Sequence, residues 1–321
     1  MNPSDTLEAP AQSPLKMTGA ERQQWRRRKL TSILTEGLPA LPSYVFELNS
    51  LLAEASVDLK RVAKVIRSDP AMAAQLIRTC NSALYGPRRR VLSIEEAVVL
   101  MGAERLRTWL LTCSVMEFTG RQLPRAKVQM FWQHSFMTGM LSERIAKWLE
   151  YSEREQAYLG GLLHDVGRLP LLLVAAEEDS GDPESSLDLG VTSLESEESY
   201  CGLTHCEVGG WIGKSWNFFP SFIDVFENHH HPERSMRDPH LVGIVAAADH
   251  FSESRSAGPC SEGDDACSNE AMPDDEFLAI CFPRLGADER SELTDMLEDE
   301  YLHLLPVIEF NSPNVTPLRI A

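Results

Sequence analysis

Apolar residues recur every three or four positions along most of the chain from about residue 36. Val45 and Leu48 follow this spacing in one segment, and Val62 and Ile66 follow it in the next. Such spacing places apolar side chains on one face of an α-helix. The sequence contains no sustained alternation of apolar and polar residues and no Asn-Gly or Asp-Gly hairpin turn. The pattern therefore predicts an all-α fold.

Capping signals support several of these helices. Asp69 precedes Pro70 as an N-cap precedes a proline at the first helical position, and Ser93 and Glu96 have the spacing of a capping box. A second series of helices is predicted from about residue 124 to 252, and others near 274–278 and 289–304. Residues 177–200 contain acidic side chains and no basic ones, which favours a loop.

These segments predict the organisation of the chain. Residues 1–35 are rich in Pro, Ser and Gln, then basic from Arg22 to Lys29, and are predicted to form a loosely ordered, flexible leader. The basic run is interpreted as a solvated helix face, with docking to an acidic partner or to nucleic acid as the alternative. One helical domain is predicted over 36–255, with an N-terminal part at 36–122 and a C-terminal part at 123–255. A loop and a C-terminal helical extension complete the chain at 256–321.

Charge narrows the range of partners. The chain has 321 residues, 48 acidic and 30 basic, and a net charge of -18. A surface of this sign repels nucleic-acid phosphate, so nucleic acid is an unlikely partner. A small phosphorylated ligand could still bind at a local basic spot.

The remaining composition indicates a cytoplasmic protein. The apolar stretch at 162–176 is shorter than the roughly 20 residues that span a membrane, and His164, Asp165 and Arg168 interrupt it. The first residues lack the basic start and apolar run of a secretory signal. The 7 cysteines are odd in number and form no CxxC pair, which favours reduced thiols. No membrane partner is expected.

Candidate chemistry begins with a His-Asp doublet, His164-Asp165, inside an apolar segment predicted to be helical. A buried histidine beside a buried carboxylate is costly unless each has a partner. His134 lies on the preceding predicted helix, and Asp249 lies at the end of another apolar helix. Imidazole and carboxylate donors suit a divalent metal such as Fe, Mn, Mg or Zn.

A second group of histidines could complete a two-metal site. Each of these residues taken alone is more simply a hydrogen-bonded core residue, but together they predict one shared pocket. The seven candidate ligands are His134, His164, Asp165, His205, His229, His230 and Asp249.

Several segments between about residues 36 and 255 are informative together. They are LPALPSYVFELNSLL, VAKVIRSDPAMAAQLIRTCNSALYG, VLSIEEAVVLMGAERLRTWLL, HSFMTGMLSERIAKWL, EQAYLGGLLHDVGRLPLL, GLTHCEVGGWIGKSWNFFP, NHHHPE and VAAADHF. On these motifs the chain resembles the HDOD family. The resemblance implies a multi-helical bundle related to the HD hydrolases, with an N-terminal helical subdomain and an HD-like C-terminal subdomain. It also implies a regulatory output module of bacterial signal transduction; most such modules have no established enzymatic activity, and they often accompany receiver, GGDEF or EAL domains.

The chain departs from the catalytic HD-GYP phosphodiesterases at two places. Those enzymes follow their paired histidines with Gly-Tyr-Pro, whereas HPERSMRDPHL follows His230 here. They also typically carry Lys three residues after the Asp of the doublet, where this chain has Arg168. Arginine can hold a phosphate through two nitrogens but is too basic to act as a general acid. Both departures argue against cyclic dinucleotide hydrolysis and leave metal binding open.

Two functions follow from these observations. The first is a non-catalytic or weakly catalytic regulatory module that binds a signalling protein or a ligand. Arg88, Arg89 and Arg90 are its candidate partner-binding residues, with a solvated basic loop as the alternative. The second is a metal-dependent phosphohydrolase, in which two metals activate water and Arg168 contacts the phosphate.

Overall fold

Helices account for all the regular secondary structure in the residues that the structure describes. In this computed structural model the described residues are 17–37, 48, 51–52, 56–68, 70–81, 90–123, 125–178, 193–216, 218–256 and 272–311. The described residues contain no strand, and the all-α prediction is confirmed.

The helices are numbered in chain order. A π-helical turn at Ile33–Gly37 follows α1, and a 3₁₀ turn at Pro232–Arg234 precedes α11. The α-helices are α1 (Gly19–Ser32), α2 (Leu59–Arg67), α3 (Pro70–Cys80), α4 (Ile94–Gln122), α5 (Arg125–Trp148), α6 (Arg154–Leu163), α7 (Arg168–Glu178), α8 (Leu194–Cys201), α9 (His205–Ser215), α10 (Pro220–Asn228), α11 (Pro239–Ser256), α12 (Asp274–Cys281) and α13 (Ala287–Asn311).

The chain divides into two compact units. The first comprises residues 1–38 and 164–284, and the second comprises residues 39–163 and 285–321. The first unit therefore holds α1 and α7 to α12, and the second holds α2 to α6 and α13. The domain boundaries that the sequence suggests at residues 35, 122 and 255 stay predictions.

The second unit is built around the packing of α5 on α6. Gly161 of α6 lies so close to α5 that a Cβ atom there would be 2.6 Å from the Ser142 hydroxyl and 2.7 Å from the Thr138 carbonyl oxygen. Trp132 and Leu141 of α5 are fully buried in this unit. Removing such large apolar side chains from water supplies most of the drive for helices to pack.

Asn81 is hydrogen-bonded to Val91, on the other side of the segment that contains the predicted partner-binding arginines. Its side-chain amide donates to the carbonyl oxygens of Ile77 and Val91, both at 2.8 Å, and its side-chain oxygen accepts from the Val91 N–H at 2.8 Å. The two bonds with Val91 hold residues 81 and 91 close together. Arg90 is exposed, whereas Arg88 and Arg89 lie outside the described residues. The partner surface therefore stays a prediction.

Residues 19–32 form a regular helix, so the prediction of a loosely ordered leader is wrong for this part of the chain. Thr18 caps α1: its hydroxyl oxygen accepts from the Glu21 N–H, and its own N–H donates to the Glu21 carboxylate at 2.8 Å. Leu30, near the end of the helix, is fully buried. A capped helix with a buried apolar residue is stabilised by both its local bonds and its packing.

Arg26 of α1 binds Glu178 of α7 through two nitrogens. Its Nε and Nη2 lie 2.6 and 2.7 Å from the two carboxylate oxygens, and its guanidinium stacks 3.8 Å above the Tyr200 ring. The Tyr200 hydroxyl donates to the same carboxylate at 2.7 Å. The interpretation of the basic run as a solvated face is therefore wrong for Arg26, which fastens α1 to α7 and α8.

The predicted acidic loop at 177–200 ends in a helix. Ser193 caps α8 by accepting from the Ser196 N–H, and Glu197 and Cys201, one turn apart, are buried. The loop prediction is wrong for residues 194–200, because an i, i+4 pair of buried positions is enough to anchor a short helix. Residues 179–192 of the predicted loop lie outside the described residues.

Residues 154–178 are long and apolar enough to meet the length and composition criteria for a membrane span. Within the protein, however, 94% of the apolar window is buried. The core helices of soluble proteins meet the same criteria, and this degree of burial matches them.

Asp224 of α10 fixes the start of α11. Its carboxylate accepts from the Ser235 hydroxyl and the Arg237 N–H, both at 2.8 Å, and from the Asp238 N–H at 3.1 Å. Burial alone would raise the pKa of this carboxyl, but the backbone N–H donors of Arg237 and Asp238 outweigh it and hold the pKa below 3.8. This buried charge therefore ties the turn before α11 to α10.

We expect Asp224→Asn to lower the free energy of unfolding by about 2–3 kcal/mol at neutral pH, because an amide nitrogen would face backbone donors. A carboxyl with a depressed pKa stabilises the fold above its ordinary pKa, and this stabilisation is lost as the pH falls through the folded value. Urea unfolding should therefore show a smaller acid-induced loss in the variant than in the wild type below about pH 4. Exposed Asp295→Asn is the matched control. Equal stability of the Asp224 variant and the wild type at pH 7 would contradict the assignment.

Candidate metal centre

The His-Asp doublet lies in a turn between α6 and α7. The Arg168 N–H donates to the Asp165 carbonyl at 2.8 Å, and the Leu169 N–H donates to the Val166 carbonyl at 3.3 Å. Residues 164–167 therefore form a tight turn, and the prediction of one continuous helix through the doublet is wrong. The turn leaves both His164 and Asp165 buried.

Gly167 sets this turn directly against the start of α9. A Cβ atom on Gly167 would lie 1.9 Å from the His205 carbonyl oxygen and 2.6 Å from the Gly209 backbone nitrogen. No side chain fits in that space, so only glycine permits the two backbones to approach so closely. The approach brings the Asp165 carboxylate to His205, whose Nε2 lies 3.2 Å from Asp165 Oδ1.

His205 is the first residue of α9 and is held by Glu197 of α8. Thr204 and Glu207 form a capping box that begins α9. The fully buried Glu197 accepts from both the His205 N–H and His205 Nδ1 through its Oε2 atom, each at 2.7 Å. Because a carboxylate can only accept, His205 carries a proton on Nδ1 and directs Nε2 toward the other histidines.

His229 is oriented in the same way. Its Nδ1 lies 3.0 Å from the Val225 carbonyl oxygen, which can only accept, so the neutral ring presents a lone pair at Nε2. The Nε2 atom of His205 lies 3.1 Å from that of His229 and 3.2 Å from that of His230. Ring nitrogens that face one another at this distance need a cation among them, either a proton on one nitrogen or a metal ion. The donor set therefore fits a metal ion.

His205, His229 and His230 form a three-histidine group, and the pKa shifts within it also favour one positive charge on the group as a whole. Burial and the neighbouring imidazoles lower the pKa of His230 to about 3 and hold the pKa of His229 well below its ordinary value. Burial would lower the pKa of His205 too, but the charges of Cys206 and Asp165 outweigh it and raise that pKa to about 10. His229 and His230 are therefore neutral, which is the form that binds metals, whereas the metal-free His205 carries on Nε2 a proton that a metal ion would replace.

A second group of donors surrounds His164. Its Nε2 lies 3.2 Å from Asp249 Oδ1 and 3.5 Å from Asp165 Oδ2. Single donor atoms of His164, His229 and Asp249 all lie within 4.8 Å of one another. Because the other oxygen of Asp165 faces His205, this carboxylate lies between the two groups.

Six of the seven predicted ligands converge in the first unit: His164, Asp165, His205, His229, His230 and Asp249. His134 is half-buried on α5 of the second unit, and its role as a ligand stays a prediction.

Arg168, the predicted phosphate contact, is held by carboxylates. Its Nε lies 3.0 Å from Asp165 Oδ2, and its Nη2 lies 3.5 Å from Glu253 Oε1. Burial would lower the pKa of this guanidinium, but the charge of Asp165 outweighs it and raises the pKa above its ordinary value. Arg168 therefore stays charged and positions Asp165, while its contact with a phosphate stays a prediction.

Sequence reasoning missed Glu197 and Cys206 as parts of this site. Glu197 lies in a segment whose acidic composition favours a loop. The number and spacing of the cysteines predict only an ordinary reduced thiol at Cys206. The spacing of Glu197 and Cys201, four residues apart, is the one helical signal in that segment that could have revealed a buried face. The position of Cys206 directly after His205 could have placed a sulfur among the candidate donors.

The HDOD domain family matches residues 38–232 of the chain. An uncharacterised protein of Treponema pallidum (strain Nichols) is 25% identical over 226 residues, which cover 66% of this chain and 42% of that protein. The chain thus spans less than half the length of that relative.

Solved structures share the fold. An HDOD domain protein of unknown function from Geobacter sulfurreducens is 23% identical, with a TM-score of 0.65 over 91% of this chain and 98% of that one. A candidate metal-dependent phosphohydrolase from Shewanella amazonensis SB2B is 20% identical, with a TM-score of 0.56 over 88% of this chain and 99% of that one. At these identities the likeness concerns the fold alone.

Proposed function

The chain belongs to the HDOD family, and from that premise we propose that it is a metal-binding regulatory module of a signalling system. The observation that carries the proposal is the convergence of three imidazole Nε2 atoms: those of His229 and His230 lie 3.1 and 3.2 Å from that of His205, and the rings of His205 and His229 are fixed by their Nδ1 partners. A core that needed only packing would not orient these ring nitrogens toward one another.

Two sets of residues would hold the ions. His205, His229 and His230 form one set, and His164 and Asp249 form the other, with Asp165 between them. Imidazole-rich donors favour Zn or Fe over Mg, which prefers oxygen. A divalent ion in the second set, which has fewer protein donors, would lower the pKa of a bound water and polarise a phosphoryl oxygen.

The surroundings of Arg168 support regulation over catalysis. Glu253, whose side chain is 45% exposed, lies 3.5 Å from the Arg168 guanidinium, so a carboxylate is placed where an approaching phosphate would have to bind. Asp165 takes the other side of the guanidinium. A phosphodiester would meet two negative charges before it reached this arginine, and like charges repel.

The alternative is a metal-dependent phosphohydrolase of the HD superfamily. The position of Asp165 between two groups of donors favours it, because two-metal hydrolases place their ions about 3.5–4 Å apart. A carboxylate with one oxygen toward each group suits that spacing. The Shewanella amazonensis protein of similar fold is named as a candidate metal-dependent phosphohydrolase, which is consistent with this second reading.

We expect the purified protein, stripped of metal and titrated with Zn, Fe or Mn, to bind at least one ion per chain. His229→Ala should weaken that binding by more than about 100-fold, because loss of a direct ligand exceeds the effect of losing a residue that only positions a ligand. His231→Ala is the matched control, since His231 lies two residues further along the chain and its side chain is 43% exposed. Metal content, measured by atomic emission, and calorimetric affinity are the readouts.

The same samples separate the two functions. If the loaded wild type hydrolyses a generic phosphodiester such as bis(p-nitrophenyl) phosphate and His229→Ala does not, the phosphohydrolase is correct. If the wild type binds metal without hydrolysis, the regulatory module is supported. Absence of metal binding by the wild type would contradict both.

Partners follow from the charge of the chain and remain part of the proposal. A net charge of -18 disfavours nucleic acid, so the module would act in the cytoplasm on a signalling protein or a small phosphorylated ligand. The basic residues Arg88, Arg89 and Arg90 are the proposed contact, and Arg90 is exposed.

A further inference from the structure

Cys206 places a sulfur atom at the three-histidine group. Its Sγ lies 3.5 Å from His205 Nε2, and its side chain is only 7% exposed. The Sγ atom and one ring nitrogen each from His205, His229 and His230 all lie within 4.8 Å of one another. Two donors from α9 and two from the residues just after α10 therefore lie close together.

The distances among these donors match a tetrahedral ion. Zinc lies about 2.0–2.1 Å from imidazole nitrogen and about 2.3 Å from thiolate sulfur, so tetrahedral ligands are about 3.3 Å apart for two nitrogens and about 3.6 Å for nitrogen and sulfur. The corresponding distances here are 3.1 and 3.2 Å between nitrogens and 3.5 Å between Nε2 and Sγ. The three separations measured from His205 Nε2 thus already match those that such an ion requires, and the other pairs lie within 4.8 Å.

We propose that Cys206 is the fourth ligand of this group and that the group binds a thiophilic divalent ion of the zinc class. The proposal rests on the metal binding proposed above and adds the identity of the fourth donor. Thiolate is a soft ligand that selects Zn, Co or Fe over Mg and Mn. Four protein donors close the coordination sphere and leave no position for a reactive water, as in structural zinc sites.

One other side chain competes for the fourth position. Asp165 Oδ1 lies 3.2 Å from His205 Nε2 and 3.7 Å from His229 Nε2. The other oxygen of this carboxylate, Oδ2, lies 3.0 Å from Arg168 Nε and 3.5 Å from His164 Nε2. The charge of Arg168 therefore holds Oδ2 on the side of His164. We therefore assign Cys206 to the fourth position of the three-histidine group and leave Asp165 between the two groups.

Cobalt titration of the full chain tests the assignment directly. A sulfur ligand gives a charge-transfer band in the near ultraviolet, and tetrahedral geometry gives intense ligand-field bands in the visible. We expect both in the wild type. In Cys206→Ala the charge-transfer band should vanish, zinc affinity should fall by more than about tenfold, and manganese affinity should change far less. Cys113→Ala, with its thiol in the second unit, should keep both bands.

The outcomes separate this proposal from the proposed function. If the wild type binds cobalt without the charge-transfer band, or if the band survives in Cys206→Ala, Cys206 is not a ligand and the metal-binding module stands. If the wild type binds no cobalt or zinc, both proposals are overturned. Cys206→Ser, which keeps the size of the side chain but offers a hard oxygen, should lose the band while unfolding at nearly the wild-type temperature.

Discussion

Gly167→Ala is expected to lower the free energy of unfolding by about 3 kcal/mol and to abolish tight metal binding. The added methyl group would lie 1.9 Å from the His205 carbonyl oxygen, which belongs to the backbone of α9 and cannot rotate away. The turn and α9 must therefore separate, and Asp165 moves away from His205. Urea unfolding and zinc calorimetry measure the two effects.

Gly19→Ala provides the matched control. Gly19 is the first residue of α1, and a Cβ atom there meets nothing within 4 Å. Alanine is a better helix former than glycine, so this variant should be as stable as the wild type or slightly more stable. Wild-type stability and zinc affinity in Gly167→Ala would show that the turn and α9 are not in close contact.

Glu197→Gln is expected to weaken zinc binding by about 10–100-fold while the fold is retained. Glutamine can still accept one hydrogen bond from His205 Nδ1, but it lacks the charge that makes the imidazole a strong donor to the metal. The affinity should therefore fall even though the side chain keeps its size. Calorimetric titration with zinc checks the affinity, and thermal unfolding without metal checks the fold.

Glu195→Gln makes the same chemical change on the same helix at an exposed position. It should bind zinc as the wild type does. Equal zinc affinity in Glu197→Gln and Glu195→Gln would mean that the Glu197 carboxylate does not support His205 as a metal ligand.

The sequence located most of the candidate ligands that converge in the first unit because their chemistry stands out locally. His164, Asp165 and Asp249 lie in apolar segments, where a polar side chain is conspicuous whatever the tertiary structure. The helical period also sufficed for the fold class, because it repeats within each segment. These inferences needed no knowledge of which segments meet.

The features that were missed depend on contacts between distant segments. Apolar residues continue on both sides of the doublet, so periodicity alone predicts one helix where the structure has α6 and α7. The turn between them depends on the close approach of Gly167 to the backbone of α9, which the sequence does not reveal. Arg26 reads as a surface residue until Glu178, 152 positions away, is placed beside it. Glu197 is one of several acidic residues in its segment, and only the position of His205 distinguishes it.

The pairing of Arg26 with Glu178 also determines how far the chain can be trimmed. The family match runs from residue 38 to 232, so a fragment cut to those limits would discard both α1 and α11. Glu178, 4% exposed, would then keep a buried carboxylate without its guanidinium, which is strongly destabilising, and Asp249 would be gone. Shortened versions for crystallisation or binding work should therefore retain Thr18 at one end and extend through α12 and α13, which belong to the two units, at the other.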